Sequence, residues 1–393
     1  MWAAMPQTPA ILDHRLDFDS SEDFEQFLQL APGKWAVYLF TDADDNPIQL
    51  LCVKNLRASL KRRLSGEQTL MHSKRVEYRQ IVRRIYFRRV DSALEADWVY
   101  HDAARQIFPQ TYQGMVGFRP AWFVHVNPDV DFPRYVKTID LTKSTGVYFG
   151  PLEDKHVAGK FVEQVEDWFD LCRYYQILIQ APKGRACAYK EMGKCPAPCD
   201  GSISMDQYRV MIQWSVQTLT DPREMVRDQT QRMRDAAADL RFETASKIKS
   251  FANEISQIGK GPLRHLRPLK DFAFVSLQNG PWKGCASVFV IVRGQIEQIA
   301  SIVNIPSHPA DLLRTILATA QKMAEEPIDL LASERIGIVT HHLFTSRQTH
   351  GVYLPLADIT ESAVARAYRD LGKQKLPEES EAEGVMKELQ ALE

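Results

Sequence analysis

The stretch that decides the organisation of this chain is RACAYKEMGKCPAPCDG, residues 185–201, which carries Cys187, Cys195 and Cys199. A fourth cysteine, Cys172, precedes it and completes the spacing C-x14-C-x7-C-x3-C. Four thiolates held by a loop and a short hairpin are what a tetrahedral zinc ion or an iron–sulfur cluster requires. From the spacing alone zinc is the simpler expectation, and four independent thiols are the alternative. The segment therefore predicts a metal-binding region in the middle of the chain.

The composition around this segment is that of a globular protein with several domains. The chain has 393 residues, 45% hydrophobic and 25% charged, with a formal net charge of −1. That balance excludes nucleic-acid binding by bulk charge, so any such affinity has to come from a local patch. Six cysteines are too few for a disulfide framework, and no apolar run approaches the roughly 20 residues that span a bilayer. With no cationic export signal at the start, we expect a cytoplasmic protein without a membrane partner.

One local patch stands out in charge. Residues 54–89 contain twelve Lys or Arg and two Glu, a net charge of +10, with aromatic residues interleaved. Such a stretch binds a DNA backbone by neutralising phosphates and by stacking, and the alternative is a solvated cationic helix face. The candidate DNA-binding residues are Lys54, Arg57, Lys61, Arg62, Arg63, Arg83 and Arg84.

Hydrophobic periodicity predicts a mixed arrangement of helices and strands. Apolar positions at three-to-four spacing between residues 233 and 255 predict a helical hairpin that turns near residue 241. Arg335–Thr340 is predicted as a strand, which would point His341 and His342 to opposite faces. The other predicted strands are 35–40, 48–53, 122–126, 135–140, 272–277, 286–292 and 295–302, and the other predicted helices are 54–64, 92–108, 156–171 and 309–324.

Four segments, in order, resemble the UvrC family, the incision subunit of bacterial nucleotide excision repair. AVYLFTDAD (36–44) with KNLRASL (54–60) resembles its opening GIY-YIG nuclease module, and GVYFGP (146–151) resembles the segment that follows. The cysteine-rich stretch resembles that of UvrC, and MRDAAADLRFETASKI (233–248) resembles the UVR helical hairpin. The resemblance covers about residues 31 to 258, with a weaker echo over 271–302.

The resemblance changes the expected cofactor and adds an expected partner. In UvrC the cysteines are associated with an iron–sulfur cluster, so the cluster replaces zinc as the expected occupant of Cys172, Cys187, Cys195 and Cys199. UvrC contacts UvrB through the UVR hairpin, so we expect a UvrB-type partner, with intramolecular helix packing as the alternative. The expected partner-binding residues are Met233, Leu240, Phe242 and Glu243.

The catalytic residues of the family's nuclease are mostly replaced in this chain. A GIY-YIG site uses two tyrosines, a helix Arg and a metal-binding Glu around the phosphodiester. Tyr38 matches the first tyrosine, whereas the second falls at Gln49 and the following Gly at Leu51. The Arg falls at Ser59 and the metal-binding Glu at Tyr100, so two charged groups that act on the transition state are missing.

These departures set the functional hypotheses. The leading one is a UvrC-like repair accessory that binds DNA and a UvrB-type partner without nuclease activity. The alternative is a divergent endonuclease that uses Tyr38 and Mg or Mn, with Asp97 or Asp102 as a shifted ligand and Arg57 or Arg62 as a shifted cation. A structural adaptor without DNA binding is the third.

The expected fold is a multidomain α+β protein. It would lack the RNase H-like nuclease and helix–hairpin–helix domains of UvrC, since no motif resembling their catalytic carboxylates and His follows the hairpin. The expected parts are an N-terminal arm (1–30), a degenerate GIY-YIG-like α/β module (31–112), a connecting α/β segment (113–171), the cysteine-rich segment (172–205), a UVR-like helical region (206–260), a mixed α/β C-terminal domain (261–375) and an acidic tail (376–393).

Overall fold

The computed structural model describes residues 11–20, 23–65, 77–117, 119–303, 309–345 and 351–374. Within them the chain is an α+β protein with three four-stranded antiparallel sheets. The expected α+β class is therefore confirmed. The acidic tail and the first ten residues of the expected arm lie outside the described residues.

The first sheet has strand order β1-β4-β2-β3 and helices on both faces. Strands β2 and β3 confirm the strands predicted over 35–40 and 48–53 and form a β-hairpin, and the side chain of Asn55 caps the helix that follows it. Part of the expected N-terminal arm belongs to this module, because its strand pairs with β4 and its helix packs on the sheet. The elements are β1 (His14–Asp17), α1 (Phe24–Leu30), β2 (Ala36–Thr41), β3 (Pro47–Val53), α2 (Leu56–Leu64), α3 (Tyr78–Ile81), β4 (Arg84–Arg89), α4 (Ala93–Ile107) and α5 (Tyr112–Met115).

The middle sheet has order β6-β5-β7-β8 and draws its last strand from far along the chain. Residues 259–268 have the Gly and Pro content of a linker, yet Leu263 and Leu266 are buried and β8 pairs with β7. The elements are β5 (Trp122–Val126), β6 (Val136–Thr138), β7 (Val147–Leu152), α6 (Lys155–Trp168), α7 (Tyr175–Leu178), α8 (Ala188–Glu191), α9 (Met205–Thr220), α10 (Pro222–Ala238), α11 (Phe242–Ile255) and β8 (Arg267–Pro268).

The third sheet has order β11-β10-β9-β12, and its first three strands along the chain confirm the strands predicted over 272–277, 286–292 and 295–302. The elements are β9 (Ala273–Asn279), β10 (Cys285–Val292), β11 (Gln295–Val303), α12 (Pro309–Ala324), α13 (Leu330–Phe344), β12 (Val352–Pro355) and α14 (Glu361–Gly372). One face of this sheet packs on α12 and α14, and the other face packs on α13.

The strand predicted over Arg335–Thr340 is wrong, because these residues lie inside α13. Asp329 caps this helix by accepting a hydrogen bond from the Ala332 amide, and buried Ile336 and Val339 continue a helical spacing. His341 is consequently exposed and His342 buried on neighbouring positions of one helix. Helix α13 packs against α4, so the C-terminal sheet is attached to the first module through a helix pair.

Candidate functional site

Tyr38, the residue matched to the catalytic tyrosine, lies on the central strand β2 and is fully buried beneath α1 and α2. Its hydroxyl is 2.9 Å from the Ser59 hydroxyl, at the position where the family has its cation. Burial raises the pKa of Tyr38, and the hydrogen bond to Ser59 offsets only part of that increase. A hydroxyl without solvent access, bonded to a neutral neighbour, is a packing group in this structure.

The neighbouring catalytic positions are filled by groups that satisfy one another. Leu51 pairs across the sheet with Tyr38 and packs in the same core. The side-chain oxygen of Gln49 accepts a hydrogen bond from Arg63 at 3.1 Å, and the Arg63 guanidinium lies 5.7 Å from the ring centre of Tyr78. Arg63, one of the candidate DNA-binding residues, is therefore held against its own module.

The position of the metal-binding carboxylate lies on the other side of the sheet. Tyr100 is on α4, in the core that covers the opposite face together with Cys52 and Val37. Burial raises the pKa of Tyr100 to about 12, which keeps the phenol neutral. Because successive residues of a strand face opposite sides, Val37 and Tyr38 point away from each other, and Tyr100 cannot join a site at Tyr38.

The two carboxylates that could replace the lost ligand are engaged by α13. The Asp97 carboxylate is 2.8 Å from Nε2 of His342. Asp102 is buried, and one of its oxygens is 2.5 Å from Nη2 of Arg335. Burial by itself would raise the pKa of Asp102, but hydrogen bonds from His101 and Arg335 outweigh it and lower the pKa. Both carboxylates thus hold the C-terminal domain on the α4 side of the sheet.

The same interface contains a buried acid that the sequence analysis did not single out. Glu334 on α13 is 2% exposed and accepts hydrogen bonds from Arg105 at 2.5 Å and from the Tyr112 hydroxyl at 2.6 Å. Nε2 of His101 lies 3.2 Å from the same carboxylate. A carboxylate this deeply buried needs such partners. No local signal in the sequence pairs residues more than 220 positions apart, so this cluster becomes visible only in the fold.

The basic residues of α2 are only partly available to a ligand. Nε of Arg57 donates to the carbonyl of Ala31 at 2.9 Å, and Lys61 pairs with Glu25 at 2.9 Å on the surface. Arg62 is exposed. Of the α2 cations, Arg62 is thus the most accessible.

The remaining candidate cations lie on or beside the strands. Arg84 is paired with Asp45 at 2.8 Å, and Arg83 donates to the carbonyl of Val82 at 2.7 Å. Lys54, Arg83 and Arg84 are all half-buried. Several of these cations are paired within the module. The positive charge that a DNA backbone would contact is therefore smaller than the net charge of the stretch.

The cysteine segment keeps its residue types. All six cysteines are free thiols, and Cys172, Cys195 and Cys199 are buried whereas Cys187, at the start of α8, is half-buried. The Cys172 thiol donates to the carbonyl of Tyr174 at 3.6 Å. Its interaction with Cys195 raises the pKa of Cys172 and lowers that of Cys195. Within the described ranges, however, no group of three or more His, Cys, Asp or Glu side chains is close enough to hold a metal ion. The structure brings two of the four thiols together, and the cluster stays a prediction.

The predicted helical hairpin is present as α10 and α11, with an apolar tip. Leu240, at the turn, has a positive φ of 59° and is 74% exposed, and Phe242 is 64% exposed. Glu243 is also exposed, and Met233 is half-buried along α10. Two large apolar side chains at a helical turn cost free energy in water, so this tip has the surface character of an interaction site.

Comparison with known proteins finds similarity in the middle region of this chain. The model of the UvrC/Cho excinuclease middle domain matches residues 121–218, which span β5 to α9 and include all four cysteines of the segment. UvrABC system protein C of Clostridium perfringens (strain SM101 / Type A) is 25% identical over 292 residues, covering 73% of this chain and 47% of the relative. UvrABC system protein C of Acetivibrio thermocellus is 24% identical over 284 residues, covering 70% and 44%.

These matches define the class of protein: a relative of the excinuclease subunits. The chain is similar to UvrC proteins over about 70% of its length and matches the UvrC/Cho middle domain over residues 121–218. It spans about half the length of the curated relatives it matches. No solved structure matches it significantly. Among the described residues, no helix has the length and apolarity needed to cross a membrane.

Proposed function

We propose that this chain acts in nucleotide excision repair as a UvrC-type accessory protein that binds DNA and a UvrB-type partner and does not cut DNA. The observation that carries the proposal is the burial of Tyr38 against Ser59, with the carboxylate position, Tyr100, on the other side of the sheet. A UvrC-type nuclease site needs an accessible hydroxyl, a cation and a divalent ion on one surface. Loss of a single charged stabiliser of this kind costs about 2 to 4 kcal/mol of barrier, and two are replaced here.

An incision assay tests the proposal. The native chain and Tyr38→Phe are incubated with lesion-containing duplex DNA, a UvrB-type protein and Mg²⁺ or Mn²⁺, and each mixture is run on a native and on a denaturing gel. We expect a shifted complex on the native gel and intact strands on the denaturing gel for both proteins. Strand cleavage by the native chain that disappears in Tyr38→Phe would overturn the proposal in favour of a divergent endonuclease.

DNA binding is supported by the exposed part of the basic stretch. Arg62→Glu reverses an exposed cation of α2 that makes no hydrogen bond or ion pair among the described residues, so it should weaken binding and reduce the salt dependence of the affinity. Lys322→Glu, an equally charged change on the exposed surface of α12, is the matched control. Equal affinities for native and Arg62→Glu chains at low salt would remove α2 from the interface, and no DNA binding by the native chain would favour a structural adaptor.

The hairpin tip supports the proposed UvrB-type partner, because it exposes Leu240 and Phe242 at the turn that resembles the family's. Phe242→Asp should abolish complex formation while leaving the helical fold intact, since this side chain is mostly in water. Val130→Asp, another exposed apolar position, serves as control. Binding of a UvrB-type protein by Phe242→Asp at native affinity would exclude the hairpin tip as the contact.

The proposed cofactor is an iron–sulfur cluster on Cys172, Cys187, Cys195 and Cys199, with zinc as the competing outcome. Two observations support it: the thiols of Cys172 and Cys195 are in contact, and the left-handed Ala197 turns the backbone between the last two cysteines. Iron and labile sulfide should co-purify with the chain under anaerobic conditions and be lost in Cys195→Ala. The core variant Cys285→Ala should retain both. Zinc in place of iron, or neither metal, would refute the cluster.

A further inference from the structure

An open cleft of about 450 Å³ lies on the first module, beside the Tyr38 core. It is bounded by strands β1 and β4 and by the chain that leaves α1. Its lining includes His14, Leu30, Pro32, Arg57, Phe87 and Arg89. The volume is enough for one nucleotide-sized ligand, and Tyr38, Gln49, Ser59 and Tyr100, the positions matched to the family's catalytic residues, are not part of the lining.

The cleft gathers positive charge without a carboxylate in its lining. Arg57 and Arg89 both contribute to its wall, and His14, whose Nδ1 is 2.6 Å from the Asp13 carboxylate, stands beside them. Nη2 of Arg89 is bonded to Asp91 at 3.1 Å and to the carbonyl of Pro281 at 2.8 Å. Its Nε is buried and has no hydrogen-bond partner among the described residues. Like charges placed together with an unsatisfied donor favour an anionic ligand.

Flat and apolar surfaces accompany these cations. The His14 ring stacks on Phe87 with their centres 4.9 Å apart, so its other face is turned away from the core. Leu30, at the rim, is 65% exposed. Trp282 is 58% exposed and follows Pro281, the residue whose carbonyl Arg89 holds. Guanidinium groups beside stacking surfaces are the combination that binds single-stranded nucleic acids.

We propose that this cleft binds one nucleotide of a DNA strand, with the phosphate held by Arg57 and Arg89 and the base packed on His14 and Leu30. The inference rests on the proposed DNA binding and deepens it, because it gives the strand a second contact besides Arg62. A free mononucleotide offers the same phosphate and base, so the experiment distinguishes the two sources.

The first arm measures the affinity of the full chain for a short fluorescent single-stranded oligonucleotide by anisotropy, between about 50 and 200 mM salt. Leu30→Glu puts a negative charge at the rim on an exposed side chain and should weaken binding about tenfold. Leu317→Glu, at an exposed position of α12, should bind like the native chain. Arg89→Gln should lower the slope of log affinity against log salt by about 0.7, the value for one phosphate contact on a single strand.

The second arm titrates deoxyadenosine monophosphate into the same proteins. Binding of the oligonucleotide at least tenfold more tightly than the mononucleotide supports a strand in the cleft, and binding of the mononucleotide alone overturns it. His14→Phe keeps the stacked ring and should lose less affinity than His14→Ala. Native affinity in both Leu30→Glu and Arg89→Gln refutes the cleft. If Arg62→Glu still weakens binding in that case, the proposed DNA binding stands without it.

Discussion

The two faces of the first sheet differ in the partners of their buried polar side chains. On the face of Tyr38 the central contact is between two neutral hydroxyls, beneath α1 and α2. On the other face, α4 carries Asp97, His101 and Asp102 into an interface with charged residues of α13. Among the described residues, buried carboxylates are therefore absent from the Tyr38 face, where the family's chemistry would need one, and present where the module meets the C-terminal domain.

This difference teaches that residue type alone does not indicate a catalytic role. In the sequence, acidic residues near a degenerate site look like replacement metal ligands. In the structure Asp102 and Glu334 belong to buried ion pairs, and removing one partner of such a pair strongly destabilises a fold. Asp102 and Glu334 therefore stabilise the interface between the first module and the C-terminal domain. The following variants test the two faces separately, from the largest expected effect to the smallest.

Glu334→Ala should cause the largest loss. It removes the carboxylate that Arg105, Tyr112 and His101 share, and leaves a guanidinium without its partner. We expect the free energy of unfolding, measured by urea denaturation, to fall by about 3 to 5 kcal/mol. Glu326→Ala, at an exposed position, should be nearly neutral. A loss no larger than that of the control would contradict the buried network.

Asp102→Asn should reduce stability in a pH-dependent way. Because the pKa of Asp102 is lowered in the folded chain, its ionised form stabilises the fold above the unfolded pKa near 3.9, and this contribution is lost as the pH falls through the folded value. The difference between native and variant chains should be about 2 kcal/mol from pH 5 to 7 and shrink below about pH 4. A difference that does not change with pH would mean that the Arg335 pair contributes nothing.

Tyr38→Phe should have a smaller effect, because it removes one neutral hydrogen bond and keeps the ring. We expect a loss of about 1 kcal/mol of unfolding free energy. Ser59→Ala should cost a similar amount, and the double variant should cost less than the sum, since the two hydroxyls are each other's partners. Additive losses would show that the two hydroxyls do not interact.

Asp97→Asn should have the smallest effect, below about 1 kcal/mol, because the Asp97 side chain is 54% exposed and the amide can still accept from His342. Thermal unfolding beside the native chain measures it. This variant separates the two possible roles of Asp97. If Asp97 were a shifted metal ligand, the substitution would strongly weaken metal binding while changing stability little.

Much of the fold could be predicted from local signals. Ser92 and Pro109 bracket α4 to within a residue or two, and the prediction for α12 matches its bounds. Helix α13 could not be predicted in this way, because β-branched residues in the run 336–340 favour a strand locally. Its capping by Asp329 and the burial of one helical face on α4 decide otherwise.

The candidate site was predictable only in part. Alignment by spacing located Tyr38, Ser59 and Tyr100 in the sequence, but not the face of the sheet on which each side chain lies. The Glu334 cluster depends on contacts between α4 and α13, and the cleft at Arg89 depends on a strand, β1, that pairs with β4 from within the expected arm. Contacts of this kind are set by tertiary packing, which local patterns do not encode.

The most direct test of the central claim is Mn²⁺ binding to the first module of the intact chain, because a UvrC-type nuclease site holds one divalent ion beside its tyrosine. Electron paramagnetic resonance of free Mn²⁺ during titration measures the bound fraction in the native chain, in Tyr38→Phe and in Asp97→Asn. The account predicts the same weak, non-stoichiometric binding in all three. One tightly bound Mn²⁺ per native chain that is lost in Asp97→Asn would contradict it and restore a working metal site.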